Sequence, residues 1–120
     1  MARILIAEDD ESMRQFLARS LERAGHTVTS VDTGKAALPH VASGEFDLLL
    51  SDIVMPEMDG LALAKQAARL APQMKVIFIT GFAAVALNRR DEMAAADAKV
   101  LSKPFHLKDV VEAVNELCAA

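Results

Sequence analysis

Acidic residues, a threonine and a lysine each follow a short apolar run in this 120-residue sequence. Glu8 and Asp9 follow the first run, and Asp52, Thr80 and Lys103 follow three later runs. If the runs are parallel strands, their carboxyl ends meet at one edge of a sheet, so these side chains converge there. Carboxylates that share a crevice repel one another unless a cation is present, and Mg²⁺ prefers such oxygen ligands. The sequence therefore predicts a magnesium site beside a fixed positive charge.

This combination of groups favours phosphoryl chemistry. A carboxylate beside Mg²⁺ and a lysine can attack phosphorus, while Thr80 can donate a hydrogen bond to a phosphoryl oxygen. Each residue alone has a plainer interpretation: Glu8–Glu11 as a capping acidic turn, Asp52 as a turn residue, Lys103 as a surface lysine. The joint arrangement is favoured because four different strands would each have to end at the correct residue.

Five apolar runs predict the strands that position these residues. The first, third and fourth are almost continuously apolar, as is typical of buried parallel strands, and the segments between runs are long enough for crossover helices. The predicted strands are Arg3–Ala7, a weaker His26–Val31, Phe46–Leu50, Val76–Ile79 and Ala98–Leu101.

Helical periodicity fills the segments between the runs. Pro39 should kink or shorten the second helix, and Pro72 should stop the third. The stripe of the first helix comprises Met13, Phe16, Leu17 and Leu21, between an N-cap at Asp10 and Gly25 at the C-terminal end. The other predicted helices are Thr33–Ser43, Gly60–Ala71, an alanine-rich Ala83–Ala96, and a last one whose stripe runs from Leu107 to Cys118.

Alternating strands and helices predict an α/β fold, a (βα)5 doubly wound parallel sheet. The common strand order at this size is the flavodoxin-like 2-1-3-4-5, with its ligand crevice at the carboxyl ends of strands 1 and 3. The length predicts one domain over residues 1–120, and no linker or output domain is expected.

Composition excludes several classes of protein. Hydrophobic residues make up 52% and charged residues 25%, as in a globular domain, and the net charge of −4 argues against a nucleic-acid-binding face. No apolar run is long enough for a membrane span or resembles a signal peptide. The single cysteine fits a reducing cytoplasm, so we expect a cytoplasmic protein. From the charge and the short apolar runs we expect no nucleic-acid or membrane partner.

Four motifs carry a resemblance to a known family. They are Glu8-Asp9, the run Asp52-Ile53-Val54-Met55-Pro56-Glu57-Met58-Asp59-Gly60 with Thr80-Gly81, and Lys103-Pro104-Phe105. The chain closely resembles the receiver domain of two-component response regulators over essentially its whole length. The resemblance implies that Asp52 is the phosphoacceptor, that Glu8, Asp9 and the Val54 carbonyl complete the metal site, and that Thr80 and Lys103 contact the phosphoryl group.

The resemblance also implies partners. A histidine kinase or histidine phosphotransferase would supply the phosphoryl group, and an output protein would bind the surface of Ala83–Ala96, the fifth strand and Leu107–Leu117. The chain is further similar to single-domain cell-cycle regulators of alphaproteobacteria, whose unphosphorylated form helps the ClpXP protease to take substrates. For such a protein, ClpX is a candidate partner. The terminal Ala119-Ala120 is either a frayed end or, by resemblance, a tag recognised by ClpX-type unfoldases.

Two departures from the family pattern affect switching and turnover. The family commonly has Tyr or Phe three residues before the lysine, where this chain has Val100. Phosphorylation would then act through the Thr80–Ala84 loop by moving Phe82, and the alternative is that Phe82 is a loop aromatic that covers the edge of the core. Val54 and Phe82, which lie two residues after Asp52 and Thr80, cannot hydrogen-bond a hydrolytic water. We therefore expect slow self-dephosphorylation.

Three other functions compete with the phosphorylated switch. A haloacid-dehalogenase-type phosphotransferase or phosphatase needs a second aspartate where Val54 stands. A nucleotide-binding flavodoxin-like module needs glycines after strand 1, where acids are found. A phosphate-independent pseudo-receiver that only binds partners stays open, although the full set of acids, Thr80 and Lys103 disfavours it.

Overall fold

The structure is a computed structural model that describes residues 2–53, 55, 58–80, 99–102 and 106–118, with the side chains of Thr80 and Ser102 excepted. Within these ranges the chain forms five strands and four helices. The strands are β1 (Arg3–Ala7), β2 (Thr27–Val31), β3 (Leu48–Asp52), β4 (Lys75–Thr80) and β5 (Lys99–Ser102). The helices are α1 (Glu11–Arg23), α2 (Gly34–Ser43), α3 (Gly60–Leu70) and the C-terminal helix (Leu107–Cys118).

The five strands form one sheet in the order β2-β1-β3-β4-β5, and every neighbouring pair is parallel. This confirms the predicted doubly wound fold and its strand order. The register sets Ala7, the last residue of β1, opposite Ser51, the residue before the last of β3, so the carboxyl ends of these two strands lie side by side. The predicted crevice position, where the strand order reverses between β1 and β3, therefore exists in the fold.

Both faces of the sheet are covered, because successive side chains of each strand point to opposite sides. On β1, Leu5 and Ala7 join one apolar cluster, which packs under α2 and α3. Ile4 and Ile6 join the other cluster, which packs under α1 and the C-terminal helix. All five residues of β3 are buried, as the nearly continuous apolar run predicted for a central strand.

Short polar side chains begin three helices. Asp10, Thr33 and Asp59 each have extended backbone and accept the amide N–H three residues ahead, which satisfies a donor that the first turn leaves unpaired. The predicted cap at Asp10 is thereby confirmed. Gly25, at φ 98°, follows the end of α1 as predicted from the need for a left-handed residue.

Three local predictions are corrected by the structure. Pro39 does not shorten α2, which continues to its predicted end at Ser43, and Pro39 lies on the exposed side of the helix together with Lys35. Phe16 is 46% exposed, since the buried face of α1 is centred on Leu17 and Leu21. The predicted strand Phe46–Leu50 lies two residues further along, because Ser51 and Asp52 are still paired with β4.

The predicted helix Ala83–Ala96 lies outside the described residues. None of the helices in the described ranges is long and apolar enough to cross a membrane.

Candidate functional site

Three carboxylates meet at the carboxyl edge of the sheet. Glu8 directly follows β1 and Asp52 is the last residue of β3, so the pairing of these two strands brings them together with Asp9. One carboxylate oxygen from each of the three lies within 4.8 Å of the others. Glu8 is 1% exposed and Asp52 7%, whereas Asp9 is open to solvent. We call these three residues the acidic cluster.

The turn between β1 and α1 fixes one side of the acidic cluster. The amide of Glu8 donates to the carbonyl of Val31 at 3.1 Å, which continues the pairing with β2 for one residue past the strand. The amide of Asp10 then donates to Oε2 of Glu8 at 3.2 Å, and Asp10 in turn caps α1 by accepting from the amide of Met13 at 3.0 Å. The sequence Glu-Asp-Asp thus both starts a helix and orients the Glu8 carboxylate.

The start of α3 fixes the other side. The amide of Gly60 donates to the carbonyl of Ile53 at 2.8 Å, and the amide of Ile53 donates to the carbonyl of Ile79 at 3.0 Å. The helix begins so close to β3 that a Cβ on Gly60 would lie 2.2 Å from the carbonyl oxygen of Asp52. Only glycine fits there, so the glycine of the Met-Asp-Gly motif lets α3 pack directly against the backbone of Asp52.

The acidic cluster fits Mg²⁺ in both chemistry and spacing. Oxygen ligands about 2.1 Å from an octahedral ion lie about 3 Å apart when adjacent and about 4 Å apart when opposite. The observed spread of at most 4.8 Å needs only small side-chain adjustments, or a water in one position, to reach these values. Two of the three carboxylates are buried, so a bound cation would offset the repulsion among them. The residues best suited to hold the ion are Glu8, Asp9 and Asp52.

The other predicted site residues are described only in part. The backbone of Thr80 ends β4 at the same edge of the sheet, paired with Ser102, but its side chain lies outside the described residues. Lys103 and the Val54 carbonyl also lie outside them. Val100 stands at the position where the family commonly has an aromatic residue. It is paired with Phe78 across β4 and β5, and it packs against the apolar cluster to which Phe78 belongs.

Two residues that the sequence analysis did not single out contact the ends of these strands. Arg14 of α1 donates from Nη1 to the carbonyl of Glu8 at 3.0 Å. At the opposite edge of the sheet, Asp47 accepts the amide of Arg3 with its carboxylate at 2.8 Å. The signal for Arg14 was its position four residues after the capping residue Asp10, which places it one helical turn above the cluster. No local sequence signal marks Asp47.

Comparisons with known proteins agree with this geometry. Residues 4–115 match the family model described as the response regulator receiver domain. The chain is 55% identical over 120 residues to the response regulator receiver protein CpdR of Brucella abortus, covering 100% of this chain and 99% of that protein.

Two solved structures extend the agreement to the fold. A receiver domain protein of Methanospirillum hungatei superposes with a TM-score of 0.90 at 32% identity, covering 97% of this chain and 92% of that one. The response regulator TrrA of Thermotoga maritima, solved in complex with Mg²⁺ and BeF, gives a TM-score of 0.85 at 28% identity, covering 98% and 99%.

Proposed function

We propose that this chain, which belongs to the response regulator receiver domain family, is a switch that accepts a phosphoryl group on Asp52 in a Mg²⁺-dependent reaction. The observation that carries the proposal is the acidic cluster, with Asp52 buried at the end of β3 and its carboxylate beside those of Glu8 and Asp9. A histidine kinase or histidine phosphotransferase is the proposed donor. The response is a change in protein contacts, as phosphorylation favours one of two conformations.

In the proposed reaction, a carboxylate oxygen of Asp52 attacks the phosphorus of a phosphohistidine. A P–O bond forms to Asp52 as the P–N bond to the histidine breaks, and the electron pair of that bond returns to the imidazole. When bound, Mg²⁺ supplies positive charge that neutralises the transferring oxygens. Glu8 and Asp9 hold it beside Asp52, and Thr80 and Lys103 complete the proposed set as contacts of the phosphoryl group.

Intact-protein mass spectrometry after incubation with acetyl phosphate and Mg²⁺ tests the proposal directly. We expect the wild-type chain to gain one phosphoryl group, and the gain to vanish when Mg²⁺ is chelated or when Asp52 is replaced by Ala. Asp32→Ala is a matched control, because Asp32 is an exposed aspartate that follows β2 at the same edge of the sheet.

A phosphoryl gain that survives in Asp52→Ala would place the acceptor elsewhere. If no gain occurs with acetyl phosphate or with a phosphorylated phosphotransferase, the chain is instead a phosphate-independent binding module, the alternative that the sequence left open. If the wild type and Asp32→Ala gain the same amount of phosphoryl group, the loss in Asp52→Ala is specific to Asp52 and is not a general effect of removing an aspartate from this edge of the sheet.

The lifetime of the phosphorylated form is a second part of the proposal. Val54 and Phe82, both outside the described residues, are apolar where a side chain could otherwise orient a hydrolytic water. We expect the isolated phosphoprotein to persist for minutes or longer in Mg²⁺, so that removal depends on a partner. Decay within seconds, followed by mass spectrometry, contradicts this expectation.

A finer proposal concerns the output. We propose that the output is direct contact with a partner protein, as the sequence resemblance implies. We propose that the unphosphorylated form of the chain acts as an adaptor for ClpXP proteolysis, as the sequence resemblance implies, using the surface of Ala83–Ala96, β5 and the C-terminal helix.

Reconstituted proteolysis tests this finer proposal. Degradation of a substrate by ClpXP should accelerate when the unphosphorylated chain is added and should not accelerate with the phosphorylated chain. Separately, if Ala119-Ala120 is a tag, changing both residues to Asp should protect the chain itself from ClpXP. Substrate degradation that ignores the chain in both states excludes the adaptor role, while the phosphoacceptor function is decided independently by mass spectrometry.

A further inference from the structure

We propose that Arg14 is a positioning residue for the magnesium site: its guanidinium holds the turn between β1 and α1 so that Glu8 and Asp9 face Asp52. The inference rests on the proposed Mg²⁺ function of the acidic cluster. The Arg14 side chain donates to the main-chain carbonyl of Glu8, and its proposed effect on the site passes through that backbone group.

The observation is a contact between a cationic side chain and a backbone carbonyl. Nη1 of Arg14 donates to the carbonyl oxygen of Glu8 at 3.0 Å, and the Arg14 side chain is half-buried against this turn. That carbonyl lies one residue beyond Ala7, the last residue that β1 pairs with β3. The Glu8 amide still bonds to the carbonyl of Val31 on the β2 side, and on the side of its carbonyl the described contact is the one from Arg14.

The turn is tied to α1 at two further points. The amide of Arg14 donates to the carbonyl of Asp10 at 2.9 Å, and the amide of Asp10 donates to Oε2 of Glu8 at 3.2 Å. The bond from the Arg14 amide is the ordinary helical one, and the Arg14 side chain adds the link from α1 to the main chain of Glu8. Because metal sites tolerate misplacement of only about 0.5 Å, release of this turn would loosen two of the three proposed ligands.

Arg14 could act by positioning the ligands or as a competing positive charge, and the two roles predict opposite changes in Mg²⁺ affinity when Arg14 is replaced. A positive charge near three carboxylates would by itself weaken binding of a divalent cation, so removing it would tighten binding. A residue that holds the ligands in place has the reverse effect, since its removal leaves the ligands in a broader range of positions. The guanidinium donates to a carbonyl, and within the described ranges it makes no ion pair with a carboxylate, which favours positioning.

Calorimetric titration with Mg²⁺ alone, on the full chain, distinguishes the two roles. We expect Arg14→Met to raise the Kd for Mg²⁺ about tenfold, the lower end of the range for residues that orient metal ligands. Arg14→Lys keeps a donor on a side chain of similar length and should recover most of the affinity. Arg19→Met, on the same helix but without a hydrogen bond to this turn in the described residues, should bind Mg²⁺ like the wild type.

A second measurement needs no metal. Hydrogen exchange of the Asp10 amide, followed by NMR, should be faster in Arg14→Met than in the wild type or in Arg14→Lys, because the turn that carries it is released. Unfolding temperatures of all variants, measured in the same buffer, identify any variant whose affinity is lost through general unfolding.

The outcomes separate this inference from the proposed function. If the wild type binds no Mg²⁺ and accepts no phosphoryl group, the proposed function itself fails. If the wild type binds Mg²⁺ and Arg14→Met binds it equally or more tightly, only the positioning role of Arg14 is overturned. Weaker binding in Arg14→Met that Arg14→Lys restores, with unchanged unfolding temperature, supports it.

Discussion

Two aspartates bracket β3 and have different environments. Asp47 immediately precedes the strand and is exposed, whereas Asp52 is its last residue and is 7% exposed. The carboxylate of Asp47 accepts the amide of Arg3 at 2.8 Å, its amide donates to the Arg3 carbonyl, and its carbonyl accepts the amide of Lys75. Asp47 therefore links the starts of three neighbouring strands, whereas Asp52 shares its edge of the sheet with two other carboxylates.

The difference shows how a parallel sheet separates structure from chemistry. At the amino edge, an acid satisfies backbone donors and is used in the fold, so it has little capacity left for a ligand. At the carboxyl edge, strand pairing brings three carboxylates within 4.8 Å of one another, and a bound cation would offset the repulsion among them. One residue type thus stabilises the fold at one end of a strand and serves the proposed chemistry at the other.

Replacing each aspartate by alanine in turn should affect different properties: Asp52→Ala phosphorylation, and Asp47→Ala stability. The loss of phosphorylation is the largest effect that we expect. Asp52→Ala should abolish phosphorylation by acetyl phosphate, with a smaller loss of stability than Asp47→Ala, because it relieves repulsion among buried carboxylates. Asp47→Ala should keep phosphorylation and lose about 1–2 kcal/mol of unfolding free energy, since the Arg3 amide loses a charged acceptor. Intact mass and urea unfolding measure the two effects on the same samples.

If Asp47→Ala lost phosphorylation while remaining folded, the two edges of the sheet would be functionally coupled and the separation described above would be wrong.

The packing of Gly60 against Asp52 predicts the next largest effect. Gly60→Ala places a Cβ 2.2 Å from the Asp52 carbonyl oxygen and 3.0 Å from the Cα of Ile53, so β3 or α3 must shift. We expect a loss of about 2–3 kcal/mol in unfolding free energy together with weaker Mg²⁺ binding. Gly44→Ala is the control: its φ of 72° costs about 1 kcal/mol, but its Cβ would meet nothing within 4 Å.

Gly44→Ala should leave Mg²⁺ binding unchanged, since Gly44 follows α2 and leads into the amino end of β3, whereas the acidic cluster lies at the carboxyl edge of the sheet. A Gly60→Ala variant with wild-type stability and Mg²⁺ affinity would contradict the close approach of α3 to Asp52.

The smallest expected effect concerns the thiol of Cys118, which lies near the amino edge of the sheet beside Asp47 and Lys75. Burial, and next the negative charge of Asp47, raise the pKa of Cys118 above its ordinary value of 9.0. Above pH 9 the unfolded thiol loses its proton while the folded one keeps it, so the stability contribution that is complete below pH 9 declines as pH rises. We expect the unfolding temperature to fall slightly more between pH 8 and 10 in the wild type than in Cys118→Ser.

Thiol alkylation provides an independent check of the same group. Cys118 should react more slowly than a free cysteine at equal pH, because the reactive thiolate is less populated. Asp47→Asn should speed the reaction, since it removes the second cause of the raised pKa. Reaction at the rate of free cysteine would show that the thiolate is not disfavoured.

Much of the fold followed from local patterns. The run Arg3–Ala7 predicted β1 with its observed bounds, and the spacing of Val110 and Val114 predicted the buried face of the C-terminal helix. The cap at Asp10 was predictable because a capping hydrogen bond lies within one turn of the chain. The convergence of Glu8, Asp9 and Asp52 was predicted from the strand order, and the structure confirms that these three side chains meet.

Other features depended on contacts that no local pattern records. The boundary of β3 moved because Asp52 pairs with Ile79, and Phe16 is exposed because of how α1 sits on the sheet. Asp47 acquires its partners from the starts of β1 and β4, distant in sequence. These are outcomes of register and helix placement, which depend on the packing of the whole core.

The amino-acid sequence by itself determined which residues could take part in phosphoryl chemistry, because residue type and position after an apolar run are properties of the chain. Tertiary structure alone decided that Asp47, before β3, bonds to the backbone of the neighbouring strands, and that Asp52, at the end of β3, lies beside other carboxylates. The physical reason is that hydrogen-bond partners and charge repulsion are set by distance in space, and parallel pairing brings together residues more than forty positions apart.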